Sequence, residues 1–189
     1  ANAQTGNIVL LSANLMDGNW ERVLHYLVPL CAFALGVLTA EKMRERFREM
    51  RTLHWRQLVV LGEGLLLFLV GFLPQEQNLL ANAIVSFACA MQVDSFRKFR
   101  GVPCATTMCT GNLRSGTELL FHAVQDHDPT ARRRGLQYYA IILLFILGAF
   151  LGVWCTEQWR SRAVLVCCGL LAVVFSAMFL KSGEEALEA

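Results

Sequence analysis

Charge is what this chain is short of. Asp, Glu, Lys and Arg make up 17% of its residues, against about 25% in soluble domains. The deficit falls in blocks of roughly 17–20 residues, the length a helix needs to cross the hydrocarbon core of a bilayer. The net charge is only +2, and the Arg residues lie between the apolar blocks, so no nucleic-acid partner is expected. Histidine is sparse: His25, His54, His122 and His127 are scattered and do not form a metal set. Seven cysteines is an odd number, from which no disulfide framework follows. Cys31, Cys89, Cys155, Cys167 and Cys168 lie in or at the ends of apolar blocks, where cysteine acts as a small hydrophobe. Cys104 and Cys109 have no partner at metal spacing. No nucleophile–base pair appears, which makes an intramembrane enzyme the weakest functional class, and no cofactor is expected. A signal-peptide pattern is also lacking.

What is abundant is apolar. Hydrophobic residues reach 55% and the mean hydropathy is +0.43. Five blocks read as spans: Val23–Ala40, Leu58–Leu73, Leu79–Val93, Leu136–Cys155 and Ala163–Leu180. Pro29 predicts a kink in the first. Asp17-Gly18-Asn19-Trp20 reads as a turn. Trp55, Tyr138, Tyr139 and Trp159 read as interfacial anchors.

Two copies of one tripeptide sit in the polar stretches between these blocks: Thr5-Gly6-Asn7 and Thr110-Gly111-Asn112. Leu35-Gly36-Val37, Glu41 and Arg44 follow the first. Leu151-Gly152-Val153, Glu157 and Arg160 follow the second at matching offsets. The fold class is therefore an all-α membrane protein with an internal duplication. Repeat 1 covers residues 1–74, repeat 2 residues 75–182, and residues 183–189 form an acidic tail. The span that precedes the second tripeptide has no counterpart before the first, so a leading helix is expected to be missing from this chain.

Val102–Val124 is nominally long enough to cross. It holds Thr106, Thr107, Thr110, Asn112, Arg114, Ser115, Thr117, Glu118 and His122, too polar for a lipid-facing helix. If it re-enters, the loops place thirteen basic residues inside and three outside; if it crosses, eleven and five. Re-entry obeys the positive-inside rule better and makes three spans per repeat, hence inverted topology. The Arg-rich loop 41–56 is then cytoplasmic, and the bilayer is an expected partner. A homodimer is compatible with so few spans but is not specified by the sequence.

The stretches Gln4-Thr5-Gly6-Asn7-Ile8-Val9-Leu10, Met91-Gln92-Val93-Asp94 and Ala105-Thr106-Thr107-Met108-Cys109-Thr110-Gly111-Asn112-Leu113 resemble the YoaK-like family. These are bacterial inner-membrane proteins catalogued as a domain of unknown function. The resemblance covers essentially the whole chain. It implies a multi-span inner-membrane protein and supplies no activity or catalytic residue.

In each tripeptide, Thr and Asn can accept bonds from the free N–H groups of a helix start, and Gly allows close approach or positive φ. Two short helices entering from opposite faces would aim two electropositive ends at one spot. The expected site for a small polar or anionic solute is thus Thr5, Gly6, Asn7, Thr110, Gly111 and Asn112, with Arg114 as an added cation. Glu63, between Gly62 and Gly64 in an apolar block, is a candidate proton relay or buried acid. Asp94 is a second, able instead to cap the next segment or pair with Arg97. Arg114 and Glu118 are four apart and can bridge on one helix face. The leading expectation is a transporter or channel. A scaffold or accessory subunit, whose polar residues only hold helices together, is the main rival.

Overall fold

The computed structural model describes residues 4–48, 54–99, 102–103 and 108–187. The chain is almost entirely helical: α1 (Gln4–Met16), α2 (Trp20–Phe47), α3 (Trp55–Val70), α4 (Asn78–Ser95), α5 (Cys109–Gln125), α6 (Pro129–Trp159) and α7 (Val164–Leu187). A two-residue hairpin, β1 (Lys98–Phe99) with β2 (Val102–Pro103), pairs antiparallel between α4 and α5. Glu49, Arg51, Cys104, Ala105, Thr106 and Thr107, used in the sequence argument, lie outside the described residues.

Two helices, α2 and α6, are long and apolar enough to cross a bilayer. α3 spans 16 residues, and the apolar part of α7, Val164–Met178, is also short of that length. Several expected boundaries move. α2 continues to Phe47, so Lys42, Arg44 and Arg46 are helical rather than in a loop, with Arg44 paired to Glu41 at 2.6 Å. α3 stops at Val70, and Phe72 and Leu73 lie in the turn before Pro74. The polar stretch from Val102 does not form one helix: Val102 and Pro103 are strand, and α5 starts at Cys109. α6 begins at Pro129, so Arg132, Arg133 and Arg134 are helical, and Asp128 Oδ1 accepts from the Thr130 N–H at 2.7 Å.

By contacts the chain divides into two compact units, one of Ala1–Ser95 with Gln158–Ala189 and one of Phe96–Glu157. This division is one of packing and is separate from the sequence repeat. In the first unit, the α1–α2 turn works as its sequence suggests. Gly18 takes φ +68°, and Asn19 Oδ1 accepts from the Arg22 N–H at 3.2 Å to cap α2. α2 then crosses α4 at Gly36. A Cβ there would run into the Phe87 carbonyl oxygen and lie 2.8 Å from the Ala90 Cβ, so only glycine permits this approach. Below the crossing, Ala40, Trp55, Val59 and Met91 form a buried cluster joined by Met43, Phe47 and Phe87. Trp55 is thus a core residue of α3 and not an interfacial anchor. Its cap is reciprocal: the His54 N–H donates to Gln57 Oε1 at 2.8 Å, and His54 Nδ1 accepts from the Arg56 N–H at 3.3 Å. Arg56 also lies 5.3 Å over the Trp55 ring and donates from Nε to the Ser95 carbonyl at 3.2 Å, tying α3 to the end of α4. At the other end of α3, Gly71 packs against Leu165 of α7.

The second unit is built on small residues where α5 meets α6. Gly116 faces Tyr138 and Tyr139, and Gly135 faces Leu120. Tyr138 is buried with Val102, flanked by Leu119 and Ile141, and its hydroxyl donates to the Pro103 carbonyl at 2.6 Å. It anchors the hairpin to α6; the interfacial role expected for it does not hold. The Tyr139 hydroxyl shares a hydrogen bond with Thr117 Oγ1 at 2.8 Å.

Candidate functional site

Thr5, Gly6 and Asn7 follow Gln4 in the first described turn of α1 and are themselves helical. Successive helical residues turn by about 100°, so Thr5, Gly6 and Asn7 cannot all face one spot. Thr5 and Gly6 are exposed, and Asn7 is half-buried. The inward stripe of α1 runs instead through Gln4, Asn7, Leu11 and Asn14, at the i, i+3, i+7 and i+10 spacing of one helix face. Asn14 is buried and donates from Nδ2 to the Leu10 carbonyl at 2.7 Å.

Asn7 heads a chain of hydrogen bonds through three helices. Its Nδ2 donates to Gln4 Oε1 at 3.1 Å, and Gln4 Nε2 donates to Ser86 Oγ of α4 at 2.9 Å. Ser86 Oγ, fully buried, donates to the Pro29 carbonyl of α2 at 2.8 Å. Pro29 has no N–H to offer the His25 carbonyl one turn earlier, so the expected break in the α2 ladder falls here. Beside it opens a cavity of about 700 Å³ lined by Asn7, Asn19, Glu21, Arg22, His25, Tyr26, Pro29 and Asn82. Every described lining residue belongs to the first unit. The sequence argument pointed to Asn7 alone. The signal for Gln4 and Asn14 was their spacing from Asn7; nothing local marks Ser86 or Asn82 as neighbours of α1.

Glu63 is 4% exposed, and its Oε2 meets no hydrogen-bond partner among the described residues. Cys89, half-buried on α4, stands one turn from Ser86 on the same helix. On the far side of α3, Cys168 Sγ donates to the Gly64 carbonyl at 3.6 Å, beside a small apolar cavity of about 240 Å³ between α3 and α7. Asp94 is buried in the last turn of α4, at the helix end where a negative charge opposes the macrodipole. It does not cap a following helix.

The second copy holds the same positions at the start of its helix. α5 starts three residues earlier than its capping role requires, with Met108 at the N-cap and no side-chain cap bond. Thr110, Gly111 and Asn112 are therefore in the first helical turn, and Gly111 needs neither positive φ nor room for a close neighbour. Asn112 is 4% exposed, on the side of α5 that carries Gly116. Thr110 lies on the opposite side, where it lines a shallow, open groove with Leu113, Arg114, Thr117 and Glu118. Arg114 and Glu118 share that groove, yet among the described residues they form no ion pair. The two copies fall in different units. Among the described residues, no three His, Cys, Asp or Glu side chains gather as metal ligands.

Outside the apolar blocks one titration is displaced. The His54 imidazole is held below its usual pKa by partial burial and by the neighbouring Arg56 charge. This keeps Nδ1 free to accept at the α3 cap.

The described residues are almost entirely helical, with two helices long and apolar enough to cross a bilayer and a polar cavity beside the proline of one of them. The chain belongs to the family described as protein of unknown function (DUF1275), whose pattern matches residues 1–177. No curated protein and no solved structure matches it.

Proposed function

We propose that this protein is a membrane transporter or channel for a small polar or anionic solute, which enters through the cavity beside Asn7. The observation that carries this reading is the cavity's composition and wiring. Polar side chains from α1, α2 and α4 line about 700 Å³ of space. One of them, Asn7, is hydrogen-bonded through Gln4 to the buried Ser86. Asn19, Glu21, Arg22, His25 and Asn82 are exposed, so the cavity opens outward, and it is the buried Ser86 and Glu63 that supply the costly interior polar groups that mark a pathway. Glu63, buried on α3 where that helix packs against α4, is the candidate proton carrier. The YoaK-like resemblance, an inner-membrane location, a cytoplasmic Arg-rich loop and an inverted repeat are in keeping with this reading and form part of the proposal.

The test is flux through proteoliposomes carrying an internal pH dye and challenged with formate, nitrate and glycine in turn. Wild-type protein should acidify or alkalinise the lumen with at least one solute. Asn7→Ala and Glu63→Gln should abolish the signal while leaving the helical spectrum intact. Absence of flux with the whole set would favour the second reading, a non-transporting scaffold. That reading has its own support, since the Gln4–Ser86–Pro29 bonds staple α1, α4 and α2 whether or not solute passes.

A further inference from the structure

The cavity beside Pro29 is electrically balanced, and this bears on what it takes. Resting on the solute-binding reading above, we propose that the cavity binds a zwitterion, a small solute carrying one carboxylate and one ammonium group, as an α-amino acid does. Two of its lining side chains carry full charges of opposite sign, Glu21 and Arg22. Among the described residues neither takes part in an ion pair. Adjacent residues of a helix do not face each other, so the two charges stay separately available to a ligand.

The remaining groups sort by the same logic. The Glu21 carbonyl can only accept, so His25 Nδ1, 3.0 Å away, donates to it. In the neutral ring this leaves Nε2 as an acceptor. The His25 carbonyl, deprived of a helical donor by Pro29, is another. Together with the Glu21 carboxylate they offer three acceptors, matching the three N–H groups of an ammonium. Arg22 offers the fork geometry suited to a carboxylate. The Asn7, Asn19 and Asn82 amides and the Tyr26 hydroxyl serve either end. A lone anion would meet Arg22 but also the repulsion of Glu21. A lone cation would meet the converse. Only a ligand with both charges satisfies both.

Calorimetric titration of the full chain in nanodiscs with L-leucine, N-acetyl-L-leucine and L-leucinamide separates these cases. The first probe has both charges, the second lacks the ammonium and the third lacks the carboxylate. Leucine should bind at least tenfold more tightly than either blocked analogue. Arg22→Gln should erase its advantage over leucinamide, and Glu21→Gln its advantage over N-acetyl-leucine. If N-acetyl-leucine binds as well as leucine, the site is an anion site. The zwitterion inference then fails while the solute reading survives. A leucine preference unchanged in both variants would place binding elsewhere and overturn the inference. No heat with any probe also overturns it, and the liposome flux assay then decides separately whether another solute is carried.

Discussion

The glycine at the α2–α4 crossing gives the sharpest test of the fold. Replacing Gly36 with alanine adds one methyl group facing the Phe87 carbonyl oxygen, with the Ala90 Cβ only 2.8 Å away. One obstacle is backbone and the other a Cβ, so neither can swing aside as a long side chain would. The helices must separate by the better part of an ångström, loosening the cluster of Ala40, Trp55, Val59 and Met91 below the crossing. Overpacking of this kind costs about 1–3 kcal/mol, and a rigid backbone obstacle belongs at the upper end. Against it stands the helix propensity gained by alanine over glycine, about 1 kcal/mol. The net expected loss is about 2 kcal/mol.

Gly152 supplies the control, because it occupies the same Leu-Gly-Val motif in α6 and a Cβ there would meet nothing within 4 Å. Gly152→Ala should therefore be neutral or stabilising by up to about 1 kcal/mol. The pair should differ by about 2–3 kcal/mol, roughly two orders of magnitude in the unfolding constant. Far-ultraviolet circular dichroism during denaturation of detergent-solubilised protein would read the difference. Equal stability of the two variants, or a Gly36→Ala protein more stable than wild type, would refute the crossing.

Ser86→Ala should cost about 1–3 kcal/mol by leaving the Gln4 amide and the Pro29 carbonyl without their buried partner, and the same melts would show it. Tyr138→Phe removes the 2.6 Å bond to the Pro103 carbonyl and should lose about 1 kcal/mol, with faster amide exchange in the β1–β2 hairpin. Glu63→Leu removes a buried oxygen without a partner among the described residues. It should leave stability unchanged or raised while eliminating proton-linked flux in liposomes, and a large loss of stability would make Glu63 a structural residue. His54 has a folded pKa below its unfolded value, so the unfolded chain binds more protons in that interval. Stability from its neutral cap should be complete above about pH 6.5 and fall as the pH drops below it. Melts at pH 7.5 and 5 should show the decline, and His54→Asn, a cap that does not titrate, should reduce it.

Much of the helical order was legible because apolar blocks bounded by turn residues leave few alternatives. Asp17-Gly18-Asn19 announced its turn. The errors share one cause. Helix ends were placed where hydropathy changes, but a helix continues as long as its backbone bonds and side-chain pairs favour it. Glu41 and Arg44, three apart, carry α2 past its apolar stretch to Phe47. Trp55 and Tyr138 were read from residue type as surface anchors, yet each fills a core defined by partners distant in sequence. The cavity depends on such partners too. Asn82 and Ser86 come from α4, and only tertiary contact brings them to α1 and α2.

The repeated tripeptide shows where sequence reasoning stops. Identical residues suggested identical jobs, with all three side chains of each copy turned toward a ligand. Once both copies are helical, rotation about the axis divides those jobs. Asn7 faces the bundle while Thr5 and Gly6 face out; Asn112 is buried while Thr110 lines an open groove beside Arg114. The Leu-Gly-Val motifs diverge in the same way, Gly36 clamped at a crossing and Gly152 in open space. A duplication copies side chains and local conformation; it does not copy the neighbours that decide what each side chain does. The residues that distinguish the first unit's cavity, Glu21, Arg22 and His25 around Pro29, lie outside every repeated motif. On the proposed function, specificity for solute is therefore expected to reside outside the repeated tripeptides.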